Sequence, residues 1–185
     1  MATPARCDDC SGFTLIEVLV AVSIFVVGVL ALVQLVIVAT DANRSARATT
    51  FAVVLAQQKM EQLRSLAWGF DVRGVPVSDT TTDISVVPAT SGGSGLSPSP
   101  AGALTQNLDG FVDYLDQHGT WVGTGPTPVA DTVYIRRWSI EPLPSSPNSM
   151  LILQVLVTRL RDRGAANARL PEEARLVAAK SRKTL

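Results

Sequence analysis

From Val18 to Ala39 the chain runs 22 residues without an aspartate, glutamate, lysine or arginine. Only Ser23, Gly28 and Gln34 interrupt the apolar side chains. A helix of that length spans about 33 Å, enough to cross the hydrocarbon core of a bilayer. In lipid every backbone polar group needs a partner, and one isolated run can find its partners only as a helix. The start of the fold is therefore an apolar rod that lipid or other helices must cover. A cleaved secretory signal ending near Thr40-Asp41-Ala42 is the competing reading. Against it, the apolar core is longer than the usual ~7–15 residues, and Asp8 and Asp9 make the preceding stretch acidic. Flanking charges (Arg6 with Asp8 and Asp9 before; Arg44, Arg47 and Lys59 after) leave the orientation open.

The helical pattern outlasts the apolar run. Ala52, Leu55, Ala56, Met60, Leu63, Leu66 and Ala67 recur three or four positions apart, with Gln57, Gln58, Glu61, Gln62 and Arg64 between them. No glycine or proline occurs from Val29 to Trp68. One continuous helix from about Phe13 to Leu66 would be roughly 80 Å long. Its first half is apolar all round. Its second half is amphipathic, which predicts one face packed against a domain made by the rest of the chain.

That domain reads as a small sheet. Residues 69–107 are rich in Gly, Pro, Ser and Thr, as in "ATSGGSGLSPSPAGA" (Ala89–Ala103), and predict a long loop with one short strand near Ile84–Val87. Phe111–Leu115 and Thr120–Val122 flank a turn at Asp116–Gly119 and predict a hairpin. Two longer strands, Thr132–Ile140 and Met150–Leu160, follow, and Leu151, Leu153, Val155 and Val157 share one face of the second. A last strand is expected near Arg175–Ser181, after a loop over 161–173. The fold class is α+β: a long N-terminal helix, membrane-spanning in its first half, packed against a small antiparallel sheet.

Charge and chemistry narrow the functional classes. The formal net charge is zero, which gives no reason to expect nucleic acid as a partner. The charge is nevertheless uneven. Residues 68–131 carry Asp71, Asp79, Asp83, Asp109, Asp113, Asp116 and Asp131 against Arg73 alone, a net of −6. Residues 159–185 carry Arg159, Arg161, Arg163, Arg169, Arg175, Lys180, Arg182 and Lys183 against Asp162, Glu172 and Glu173, a net of +5. Such asymmetry can orient neighbours in an assembly. Cys7 and Cys10 form a C-x-x-C, but there is no second such pair and the sole histidine, His118, is far away, so zinc would lack ligands. No phosphate-binding glycine loop, dinucleotide fingerprint or His-Glu-x-x-His motif occurs. His118 reads as a turn residue, and Arg136-Arg137-Trp138 as a half-exposed sheet face rather than a base-stacking surface. No catalytic residue, metal or cofactor is expected.

One carboxylate, Glu17, sits at the mouth of the apolar run. Thr14-Leu15-Ile16-Glu17 has the spacing of a helix capping box, and an acid in the first turn suits the helix dipole. Capping does not account for the whole string "CSGFTLIEVLVA" (Cys10–Ala21). That string, with Gly12, Phe13, Thr14, Leu15, Ile16, Glu17 and the apolar run in fixed order, resembles the type III signal of the type IV pilin superfamily. The resemblance implies that a prepilin peptidase cuts between Gly12 and Phe13 and methylates the new amine of Phe13. It also implies that Glu17 serves assembly, pairing with the terminal amine of a neighbouring subunit. More loosely, "LAQQKMEQLRSL" (Leu55–Leu66), "YIRRWSIEP" (Tyr134–Pro142) and "LILQVLVTR" (Leu151–Arg159) resemble the minor-pilin group called type IV pilus modification protein, and the first of these also resembles minor pseudopilins of type II secretion.

On this reading residues 1–12 are a leader peptide and 13–67 the long helix, transmembrane to about 39. Residues 68–107 are the Gly/Ser/Pro/Thr-rich loop, and 108–185 the sheet domain. The expected function is that of a minor pilin, a non-catalytic subunit assisting type IV pilus assembly. The alternatives are a minor pseudopilin of type II secretion, or a filament-associated DNA- or surface-binding module suggested by the basic C-terminal stretch. The implied partners are the prepilin peptidase, other major and minor pilins, the pilus assembly machinery and, before assembly, the inner membrane. The sheet domain would then be periplasmic.

Overall fold

The structure, a computed structural model, describes residues 12–80, 94–160 and 173–184. The leader stretch 1–11 with Cys7 and Cys10, the strand expected at Ile84–Val87, and the connection 161–172 lie outside these residues. One long helix, α1, runs from Leu15 to Ser65. The chain divides into two units, Met1–Arg44 and Ser45–Leu185.

In the first unit every described residue is exposed. The helix is long and apolar enough to cross a membrane. Phe25 is 70% exposed and Ile24 69%, so the apolar side chains lie open on all sides rather than along one stripe. A continuous apolar surface of this kind far exceeds what a soluble monomer normally shows. Two hydroxyls on it are satisfied internally: Ser23 Oγ donates to the Leu19 carbonyl and Thr40 Oγ1 to that of Val36, each at 2.8 Å. That internal pairing is what hydrocarbon surroundings require.

The second unit holds the core. On α1 the buried residues are Ala48, Ala52, Leu55, Ala56, Lys59, Met60 and Leu63, a stripe at three- and four-residue spacing. Ala67, which the sequence pattern places on that stripe, is exposed because the helix stops at Ser65. Lys180 Nζ donates to the carbonyl of Arg64 at 2.6 Å, satisfying one of the helix's terminal acceptors. Lys59, which the apolar pattern leaves out, lies on the stripe and is 1% exposed.

Among the described residues eight strands follow the helix: β1 (Trp68–Phe70), β2 (Pro76–Ser78), β3 (Val112–Leu115), β4 (Trp121–Gly123), β5 (Tyr134–Pro142), β6 (Met150–Arg159), β7 (Glu173–Ser181) and β8 (Lys183–Thr184). Five form a sheet in the order β4-β3-β5-β6-β7, antiparallel at every pairing. In β6 the alternation expected from the sequence appears directly, with Leu151, Leu153, Val155 and Val157 buried. With Trp138 and Ile140 of β5 they meet the helix stripe in one core. The architecture is α+β and pilin-like, a long N-terminal helix packed on antiparallel sheet.

A second, three-stranded sheet, β2-β1-β8, pairs β1 antiparallel to β2 and parallel to β8. Two of its strands fall in the 68–107 stretch that composition assigns to loop. The three are three, three and two residues long, too short for period-two alternation to register. The β1–β2 turn is closed by Asp71 Oδ1, which accepts from the backbone N–H groups of Arg73 and Val75 at 2.8 Å each. The β3–β4 turn presses on the helix. Gly119 there has φ 80°, and a Cβ on it would lie 2.6 Å from Leu55 Cδ2, so glycine serves both the left-handed backbone and the close approach.

Candidate assembly site at the start of the helix

α1 begins with a reciprocal cap. Thr14 Oγ1 accepts from the Glu17 backbone N–H at 3.3 Å, and Glu17 Oε2 accepts from the Thr14 backbone N–H at 3.0 Å. The Thr14 hydroxyl also donates to Glu17 Oε2, at 2.9 Å. The Glu17 carboxylate thus folds back on Thr14 and otherwise faces outward on an exposed turn. Gly12 precedes the helix in irregular backbone, and a Cβ on it would meet nothing within 4 Å. Phe13 is 88% exposed and Leu15 84%. The Gly12–Phe13 bond therefore lies in accessible, non-helical chain, just before a helix whose only charged side chain from Phe13 to Thr40 is Glu17.

Of the other residues weighed for chemistry, Cys7 and Cys10 lie outside the described residues, and His118 and Arg136 belong to the second unit, not to the start of the helix. His118 is exposed in the β3–β4 turn beside Gln117. Asp116 Oδ1 accepts from the backbone N–H groups of His118 and Thr120, at 2.8 Å each, and thereby closes the turn. Those bonds, the one from Thr120 foremost, hold the Asp116 carboxyl below the usual aspartate range. Among the described residues no three His, Cys, Asp or Glu side chains converge in a way that could hold a metal ion.

The structure adds a buried charge cluster that the sequence patterns do not predict. Arg136 and Trp138, expected on a half-exposed face, are 6% and 1% exposed. Asp113 Oδ2 accepts from Arg136 Nη2 at 2.7 Å and Nε at 3.1 Å, and lies 3.1 Å from Lys59 Nζ. Arg136 Nη1 reaches the Leu55 carbonyl at 3.3 Å. Lys59 Nζ stands 3.9 Å from the centre of a Trp138 ring. Two cations thus share one carboxylate, and the excess positive charge rests on an indole face and a helix carbonyl. The cluster ties α1, β3 and β5 together. A signal for it exists in the sequence: Lys59 occupies a stripe position between Ala56 and Leu63, and Asp113 and Arg136 stand at inward positions of their strands. Arg137, on the opposite face, is half-buried and held by Asn107 Oδ1 through Nε at 2.9 Å and Nη2 at 2.7 Å.

Residues 7–33 match the prokaryotic N-terminal methylation motif. The match indicates a type IV pilin-like prepilin. It covers the Gly12–Glu17 junction and most of the apolar run, and stops short of the sheet unit. No curated protein and no solved structure matches the chain. The motif implies processing by a prepilin peptidase and association with pilins in general. Together with the exposed apolar helix it fits membrane anchoring followed by incorporation into a pilus. Proteins bearing this motif are typically structural rather than catalytic.

Proposed function

We propose that the chain is a minor pilin of the pilus modification group, a non-catalytic subunit that helps start or assemble a type IV pilus. The observation that carries this reading is the lone carboxylate of Glu17, one turn past an accessible Gly12–Phe13 junction, on a helix otherwise without charge as far as Thr40. Hydrolysis of that peptide bond frees the Phe13 amine, and N-methylation leaves it basic and positively charged. An ammonium and a carboxylate are each costly in hydrocarbon and tolerable as a pair.

Within one subunit, Glu17 is occupied by its capping contacts with Thr14. On that exposed turn water competes with Thr14 for the carboxylate, so the cap holds it weakly. Leaving one member of a buried ion pair without its partner costs about 3–5 kcal/mol. When helices bundle out of water, the ion pair therefore outweighs the cap. Glu17 then turns from Thr14 to the Phe13 amine of a neighbouring subunit, which draws the incoming helix into register. Before assembly the first unit lies in the inner membrane and the sheet unit in the periplasm. Leu55–Leu66 resembles both groups, so the preference for a pilus over a secretion pseudopilus rests on the resemblance of the β5–β6 strand pair to the pilus modification proteins.

Deleting the chain from its cell tests this choice. Surface pili are expected to fall in number and to return when the native chain is supplied. Normal piliation accompanied by a secretion defect would make the chain a pseudopilin and overturn the pilus assignment.

A further inference from the structure

The two edges of the five-stranded sheet carry opposite charge. At one edge lie β3 and β4 with their loops, bearing Asp109, Asp116 and Asp131. From Gly74 to Ile135 the sequence holds no lysine or arginine at all. Trp121, on the outermost strand there, is 42% exposed, and Val129 in the following loop 40%. At the other edge lies β7, and just beyond it β8 of the second sheet; together they bear Arg175, Lys180, Arg182 and Lys183 against Glu173. Arg175 and Lys183 are exposed, Lys180 reaches the Arg64 carbonyl and Arg182 stacks over Trp68 and Phe70. Among the described residues β7 pairs only with β6 in the five-stranded sheet, and its outer row of backbone groups over nine residues has no neighbour there. Val177 on it is 62% exposed. Burial chiefly, and Lys183 to a lesser degree, hold the Lys180 ammonium below the usual lysine range. Four strand spacings put the two edges about 19 Å apart.

We propose that the sheet units of two copies of this chain join edge to edge, the basic β7–β8 edge of one against the acidic β3–β4 edge of the next, with Trp121 as the apolar anchor. The partner is a second copy because one chain carries both halves of the complement. Two unlike patches on one subunit make a head-to-tail contact, which leaves a free patch at each end and so propagates instead of closing as a two-fold dimer. Exposed apolar anchors ringed by complementary charge are what such a contact needs: the aromatic residue supplies affinity and the charges supply register. This contact adds a partner surface for the sheet unit to the proposed filament role, but its test does not depend on that role.

The test is disulfide cross-linking of the full chain in membranes, with Cys7→Ser and Cys10→Ser as background. One tagged version carries Thr127→Cys at the acidic edge and another carries Val177→Cys at the basic edge, both at exposed positions. Cross-linked dimer is expected only when the two versions are present together. Arg175→Glu with Lys183→Glu on the second version should lower its yield at least about tenfold, and Asp109→Lys with Asp131→Lys on the first should restore it. Raised salt should weaken the native pairing as well. No cross-link in the mixed sample, equal cross-linking of either version alone, or indifference to charge reversal would each overturn the proposal. Cleavage of the leader in the same cells is scored separately. Maturation without cross-linking removes the edge contact alone, and cross-linking without maturation removes the pilin reading alone.

Discussion

Glu17→Gln is expected to leave the chain made, cleaved and membrane-inserted, yet to reduce its share in sheared filaments by about 10²–10³·⁵-fold. That range follows from the roughly 3–5 kcal/mol lost when one charge of a buried pair is left alone, at about 1.4 kcal/mol per factor of ten. Glutamine keeps the shape and can still accept from the Thr14 backbone N–H, so the helix cap survives and only the charge is lost. Blotting filament and membrane fractions for the chain reads the effect. Equal filament content for the glutamine and native chains would mean that Glu17 serves the cap and nothing more.

The second large effect belongs to the sheet unit. Asp113→Asn removes the carboxylate that faces Lys59 and Arg136, both almost fully buried. Two like charges then remain in a region closed to water, and the unit should lose about 3–5 kcal/mol. Lys59→Met is the informative partner. It deletes one cation, leaves the Asp113–Arg136 pair intact and keeps the stripe apolar, so it should cost less than Asp113→Asn. Thermal melting of the purified chains in detergent, followed by the near-ultraviolet signal of the tryptophans, gives both values. Equal melting of Asp113→Asn and the native chain would show that the cluster does not hold the helix to the sheet.

Much of the architecture is legible in the sequence because it rests on long, regular patterns. The uninterrupted run from Val18, the three- and four-residue stripe from Ala52 to Leu63, and the strict alternation of Leu151 to Val157 each extend over many residues and admit one reading. What escapes is short or concealed by residue type. Strands β1, β2 and β8 are two or three residues long and owe their pairing to Asp71 closing a turn and to the return of the chain after β7 beside Gly69 and Phe70. Lys59, Asp113 and Arg136 look like surface residues because charged side chains are seldom fully buried. Their positions say otherwise. Lys59 lies on the helix stripe, Arg136 shares a strand face with Trp138 and Ile140, and Asp113 stands in a strand buried throughout. Three opposing exceptions on three elements are thus better explained by one another than by solvent.

The start of the helix is legible for a different reason. Its capping box follows from local spacing, and the structure forms it with Thr14 and Glu17 as that spacing predicts. The Gly12–Phe13 junction and the role of Glu17 in assembly come from the order of residue types in one short string. Those concern events between molecules, and a single subunit contains the groups without the event.

The decisive measurement is the mass and sequence of the N-terminal peptide of the chain recovered from membranes or filaments. The mature chain should begin at Phe13 and carry one added methyl group on its amine. A chain that begins at Asn43, or one that keeps residues 1–12, would have no terminal ammonium four positions from Glu17, and the proposed assembly mechanism would fail with it.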